Sequence, residues 1–207
     1  MRFFIILIFI LLASCSSNPD GSTPKLRSSK NLTITEIKPN KWTAITRQNL
    51  EHLFQVYDLR PYLFTLDIQI ESKAIPTSHP VLKLNTRYAE EPNKLLSLFI
   101  HEQLHWWAEK RKSDVNRAIE EIKSLFSSLP LQEMAQKEKS SSLHLLICFL
   151  EYDAIIKLMG KKEANKLLKD LIYKDKVYPW IYKQVYFKFE NLKVIVDKYN
   201  LSPKSSI

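Results

Sequence analysis

The residues best suited to chemistry stand together near the middle of the chain, as His101-Glu102-Gln103-Leu104-His105. Two His four positions apart lie one above the other on a helix face, so both imidazoles can reach a single metal ion. Glu102 adjoins the first His but points to the side. From there its carboxylate can take a proton from a water on the metal instead of ligating the metal. Zinc suits such a site, because it lowers the pKa of its water toward ~7, within reach of a carboxylate base. An open catalytic site also needs a third protein ligand and a position left for the water.

The elements that must position these groups follow from periodicity. Leu32 to Ile37 reads as a short strand, and Thr46 to Tyr57 as a helix with Thr46 as its N-cap and Leu50, Leu53, Phe54 and Tyr57 on one face. Phe64 to Ile70 and Val81 to Tyr88 alternate apolar and polar residues around the turn Ile75 to Pro80, the pattern of a hairpin-like pair. Pro92 is well placed as a first helical residue, and a helix without a breaker then runs to Lys110 and carries the motif. Helices are expected from Ser113 to about Ser128 and from Ser142 to Met159, where Gly160 is a natural stop. Glu163 to Tyr173, Trp180 to Phe187 and Asn191 to Tyr199 complete the helical half. Strands first and helices after argue for an α+β domain over alternating α/β.

Phe99 to Trp107, with the motif at its centre, resembles the active-site helix of the zincin metallopeptidases. The resemblance spans roughly Val81 to Asp153, and only the five-residue motif in it is specific. It implies a small zincin-like domain in which His101 and His105 bind zinc and Glu102 is the general base. Residues 106–118 contain neither His nor Gly, which excludes the metzincin pattern of a third His soon after the motif. The gluzincin pattern places a Glu on a second, downstream helix. Glu151 fits it, following an apolar run where a carboxylate is costly unless paired or metal-bound. His144, seven positions earlier, shares that helix face; it is the alternative ligand, a partner for a carboxylate or a substrate-side donor. Many gluzincins carry an Asp four residues after the ligand Glu to hold a motif His. Here Ile155 occupies that position and Asp153 has the wrong spacing, so the group that orients the His is unassigned. For the charge that develops on a carbonyl oxygen under attack, Tyr178 and Tyr182 are candidate donors, alongside a role in packing the closing helices.

The start of the chain reads as an address. Arg2 precedes the apolar run Phe3 to Leu12, too short to span a bilayer, and Leu12-Ala13-Ser14-Cys15 resembles the bacterial lipobox. The resemblance implies a signal peptide over 1–14, a lipidated Cys15 with a flexible tether over 15–31, and one folded domain over 32–207. The expected location is the bacterial cell envelope, on the extracytoplasmic side, held to a membrane through Cys15. Cys148 is then the single remaining thiol and reads as a small buried hydrophobe.

Composition excludes other classes. With 207 residues, 45 % hydrophobic and 26 % charged, the chain is neither disordered nor a multi-pass membrane protein. Two glycines cannot supply a glycine-rich phosphate loop. The charge of 31 − 22 = +9 fits either a basic surface kept for solubility or attraction to anionic lipid or cell-wall polymer, and export points away from nucleic acid. The expected activity is therefore a membrane-anchored, zinc-dependent metallopeptidase acting on a peptide or protein substrate. The alternatives are a non-catalytic envelope scaffold and a zinc-dependent cell-wall amidase. His52 and His79 have no partner spacing and read as surface residues.

Overall fold

The computed structural model describes residues 32–126 and 138–204. The expected signal peptide, Cys15 and the tether lie outside the described residues, as do Ser128 and Pro130. The chain opens as strand β1 (Thr33–Ile37), helix α1 (Lys41–Val56), a single 3-10 turn, and strands β2 (Asp67–Glu71) and β3 (Leu82–Leu84). Six helices follow: α2 (Pro92–Lys110), α3 (Lys112–Leu125), α4 (Glu138–Met159), α5 (Lys161–Lys174), α6 (Pro179–Phe187) and α7 (Phe189–Lys198). The expected α+β class is observed. Among the described residues no helix is long and apolar enough to cross a membrane.

The hairpin is not. All three strands run parallel in the order β1-β2-β3, with Ile34 opposite Ile68 and Ile68 opposite Leu82. Alternation reports which face is buried and says nothing of strand direction. It does place Ile68, Ile70, Leu82 and Leu84, all fully buried, on the core side of the pleat. Direction is set by the connections: α1 makes the crossover from β1 to β2, and the ten residues 72–81 return the chain to the starting end of the sheet. Part of that return pairs with the outer edge of β3. Thr77 and Lys83 exchange both main-chain hydrogen bonds in antiparallel fashion, at 3.1 and 2.7 Å.

Helix α1 also begins earlier than expected. Asn40 is its N-cap, accepting from the Trp42 and Thr43 amides while Thr43 Oγ1 accepts from the Asn40 amide, a reciprocal capping box. Thr46 lies inside the helix, buried, with its hydroxyl bonded to the Trp42 carbonyl. The polar first turn carries no apolar period, so spacing alone starts the helix too late.

Helices α2 and α4 form the centre. Leu95, Leu96, Phe99, Ile100 and Leu104 on α2 are fully buried, as are Leu145 to Cys148 on α4, and the two helices pack on each other. Each is covered on nearly every side, so that several of its polar side chains are buried as well. Gly160, with φ +83, ends α4 in a conformation that disfavours other residues.

One buried side chain fixes α2 against the strand layer. Gln103 Oε1 accepts from the Phe64 and Thr65 amides, at 2.7 and 2.9 Å, and its Nε2 donates to the Thr65 carbonyl at 2.9 Å. Gln103→Leu keeps most of the volume and leaves these main-chain groups without their partner. We expect it to cost roughly 2–4 kcal/mol in a urea unfolding titration.

Candidate metal centre

His101, Glu102 and His105 project from the middle of α2, His144, Cys148 and Glu151 from the facing side of α4, and Tyr182 from α6. Seven residues are about two helical turns, so His144 and Glu151 reach toward α2 from the same face of α4. The His101 ring is flanked by both. Its Nε2 stands 3.3 Å from Nε2 of His105. Its other nitrogen, Nδ1, is 2.9 Å from Glu151 Oε2.

That division settles which groups converge. Ligand atoms of His101, His105 and His144 lie within 4.8 Å of one another. Two nitrogens each about 2.05 Å from a tetrahedrally ligated zinc stand about 3.3 Å apart, which is the separation found between the two motif imidazoles. Three neutral imidazoles are also a suitable donor set for a zinc site with one position open. Glu151 instead groups with Cys148 and His101 Nδ1, on the far edge of the His101 ring from His105. That second group is sealed, since all three residues are buried.

The Glu151 carboxylate, 2 % exposed, is held by three donors: His101 Nδ1–H, the Ser97 hydroxyl, and the Tyr182 hydroxyl at 3.3 Å from both carboxylate oxygens. These donors satisfy a carboxylate that would otherwise be costly to bury. A proton on Nδ1 leaves the lone pair of the neutral ring on Nε2, aimed at His105.

Electrostatics follow from burial and this pairing. Burial on its own would lower the His101 pKa, but the hydrogen bond and charge of Glu151 outweigh it and the net shift is upward. His105 has no such carboxylate; burial first, then the positive charge of its His neighbours, drives it down to about 2, so its ring is neutral. Burial raises the Glu102 carboxyl, with the His101 and Arg87 charges opposing and Glu151 adding to the rise. Cys148 is pushed well up by burial and then by Glu151, which keeps its thiol protonated, in line with the expected buried hydrophobe.

The three His and Glu102 line a cavity of about 470 Å³. Tyr178, the residue before α6, forms part of its wall, its ring stacked on His144 at 4.4 Å and its hydroxyl 2.8 Å from His144 Nε2. Of the two tyrosines expected as donors, Tyr178 reaches the His cluster, whereas the Tyr182 hydroxyl is taken up by Glu151.

Other wall residues carry no signal in sequence spacing. His79, exposed as expected, also stacks on Trp106 at 4.1 Å, pairs with Glu109 at 2.5 Å and lines the cavity. Arg87 and Asp175 come from a loop after β3 and the segment before α6. A Trp 27 positions from a His, in another element, offers no hint of such a stack. Compared with known proteins, the chain matches no family model, no curated protein and no solved structure.

Proposed function

We propose that the protein is a zinc-dependent hydrolase of peptide bonds, with a zincin-like active-site helix in α2. His101, His105 and His144 would hold the ion. The observation that carries this is the convergence of three imidazoles at a cavity wall beside a buried carboxylate, Glu102. When bound, zinc supplies Lewis acidity, acidifying water and polarising a carbonyl.

The chain's own groups account for the rest. Glu102 is 7 % exposed and faces the cavity, and burial and charge alone act on it, so its carboxylate is available to receive a proton from water. Glu151 takes the part of the orienting group left unassigned in the sequence: it fixes the His101 ring and tautomer through Nδ1. Ser97 and Tyr182 in turn hold Glu151. Tyr178 is the hydroxyl at the cavity wall suited to donate to a carbonyl oxygen that gains charge. This ligand set has three His and departs from the gluzincin pattern. The proposal keeps the expected envelope location through Cys15.

The test is zinc content and hydrolysis measured on one preparation. Purified protein should carry about one zinc per chain, cleave members of a random peptide library, lose cleavage on chelation and regain it on adding zinc. Protein that takes up no zinc at neutral pH would leave the non-catalytic scaffold as the better account.

A further inference from the structure

Two basic side chains line the cavity, Arg87 and Lys94, and their surroundings differ. Lys94 is buried, and its Nζ lies 2.6 Å from both Glu91 Oε2 and Asp170 Oδ2. These two carboxylates match its charge and take two of its three N–H donors. Arg87 is 37 % exposed in its side chain, and its ion-pair contact among the described residues is with Asp175, at 3.9 Å. That distance is an electrostatic contact and too long for a hydrogen bond.

Asp175 cannot close the gap cheaply. It is 4 % exposed in its side chain and already accepts from the Val177 amide at 2.7 Å, the Tyr178 amide at 2.8 Å and the Tyr88 hydroxyl at 3.4 Å. The guanidinium meanwhile lies over the Tyr88 ring, 4.6 Å from its centroid. The guanidinium also lines the cavity, and its N–H donors have no hydrogen-bond partner among the described residues. The cavity therefore presents a cation with unused donors, in a lining that also includes Glu102.

Resting on the peptidase reading, we propose that Arg87 is a substrate-binding residue that takes a carboxylate of the substrate. A planar guanidinium pairs with a carboxylate through two parallel hydrogen bonds, whereas Lys94, the other Lys or Arg lining the cavity among the described residues, is a point charge already met by two carboxylates. The carboxylate has two sources, the C-terminus of a peptide or an acidic side chain next to the bond cleaved. The first makes the protein a trimming enzyme acting from the C-terminal end. The second makes it selective for Asp or Glu.

Binding to the metal-free protein tests this without reference to turnover. The probes, titrated by NMR, are N-acetyl-Ala-Ala with a free C-terminus, the same peptide as its C-terminal amide, and N-acetyl-Glu-Ala amide. One of the carboxylate probes should bind roughly 10- to 100-fold more tightly than the amide, the effect of hydrogen bonds to a charged group. Whichever does so identifies the source. Arg87→Gln should abolish the preference and Arg87→Lys should retain part of it, with unchanged circular dichroism in both. Equal binding of all three probes, or an undiminished preference in Arg87→Gln, overturns the proposal. Zinc content of the same protein separates the two readings: carboxylate preference without zinc uptake removes the peptidase and leaves the subsite, and zinc uptake without preference does the reverse.

Discussion

Replacing His144 with Ala is expected to abolish stoichiometric zinc binding, while Glu151→Gln is expected to keep one ion per chain at an affinity lower by roughly 10- to 100-fold. The contrast follows from which edge of the His101 ring each residue meets. His144 stands with the Nε2 pair of His101 and His105, and removing it leaves two ligands where a zinc site with an open position takes three. Glu151 stands at Nδ1, where it sets the tautomer. A Gln there still accepts from Nδ1–H and still meets Ser97 and Tyr182, but it no longer supplies the charge that raises the basicity of the ring. Equilibrium dialysis against a zinc-binding dye measures both. Zinc kept in His144→Ala and lost in Glu151→Gln would return Glu151 to the ligand set and restore the gluzincin pattern.

Glu102→Gln should lower kcat by roughly 10²- to 10⁴-fold with zinc content unchanged and KM within a few-fold, the span usual for a lost general base. The side chain reaches the cavity from the helix turn that carries His101, and it does not group with the ligand atoms. The substitution is nearly isosteric, so neither the ligands nor the packing of α2 should move. The measurement is steady-state hydrolysis of a peptide cleaved by the wild type, with the metal content of each sample determined in parallel. A variant that turns over within a few-fold of wild type would show that water is activated without Glu102, and the mechanism would need another base.

Local features were the legible ones. The metal motif is five residues on one helix, and Pro92 and Gly160 mark helix ends through backbone constraints that belong to those residues alone. The third ligand of the proposed site was not legible. His144 and Glu151 share a helix face, and no spacing can tell which edge of an imidazole each will meet after α2 and α4 dock. Strand direction was hidden for a related reason, because alternation is the same in parallel and antiparallel pairs. Arg87, Asp175 and His79 were invisible as wall residues, since three separate segments bring them together only in the fold.

The pairing of Thr77 with Lys83 bears on how selective the proposed enzyme would be. An extended peptide gains sequence-independent affinity when it adds as a further strand to an open sheet edge. At the edge of β3 that place is already filled by the chain itself, with both main-chain groups of Lys83 committed. A substrate entering beside α2 must then be held by its side chains or its end groups. Such recognition favours a short roster of physiological targets over indiscriminate digestion, and it makes denatured bulk protein a poor assay substrate.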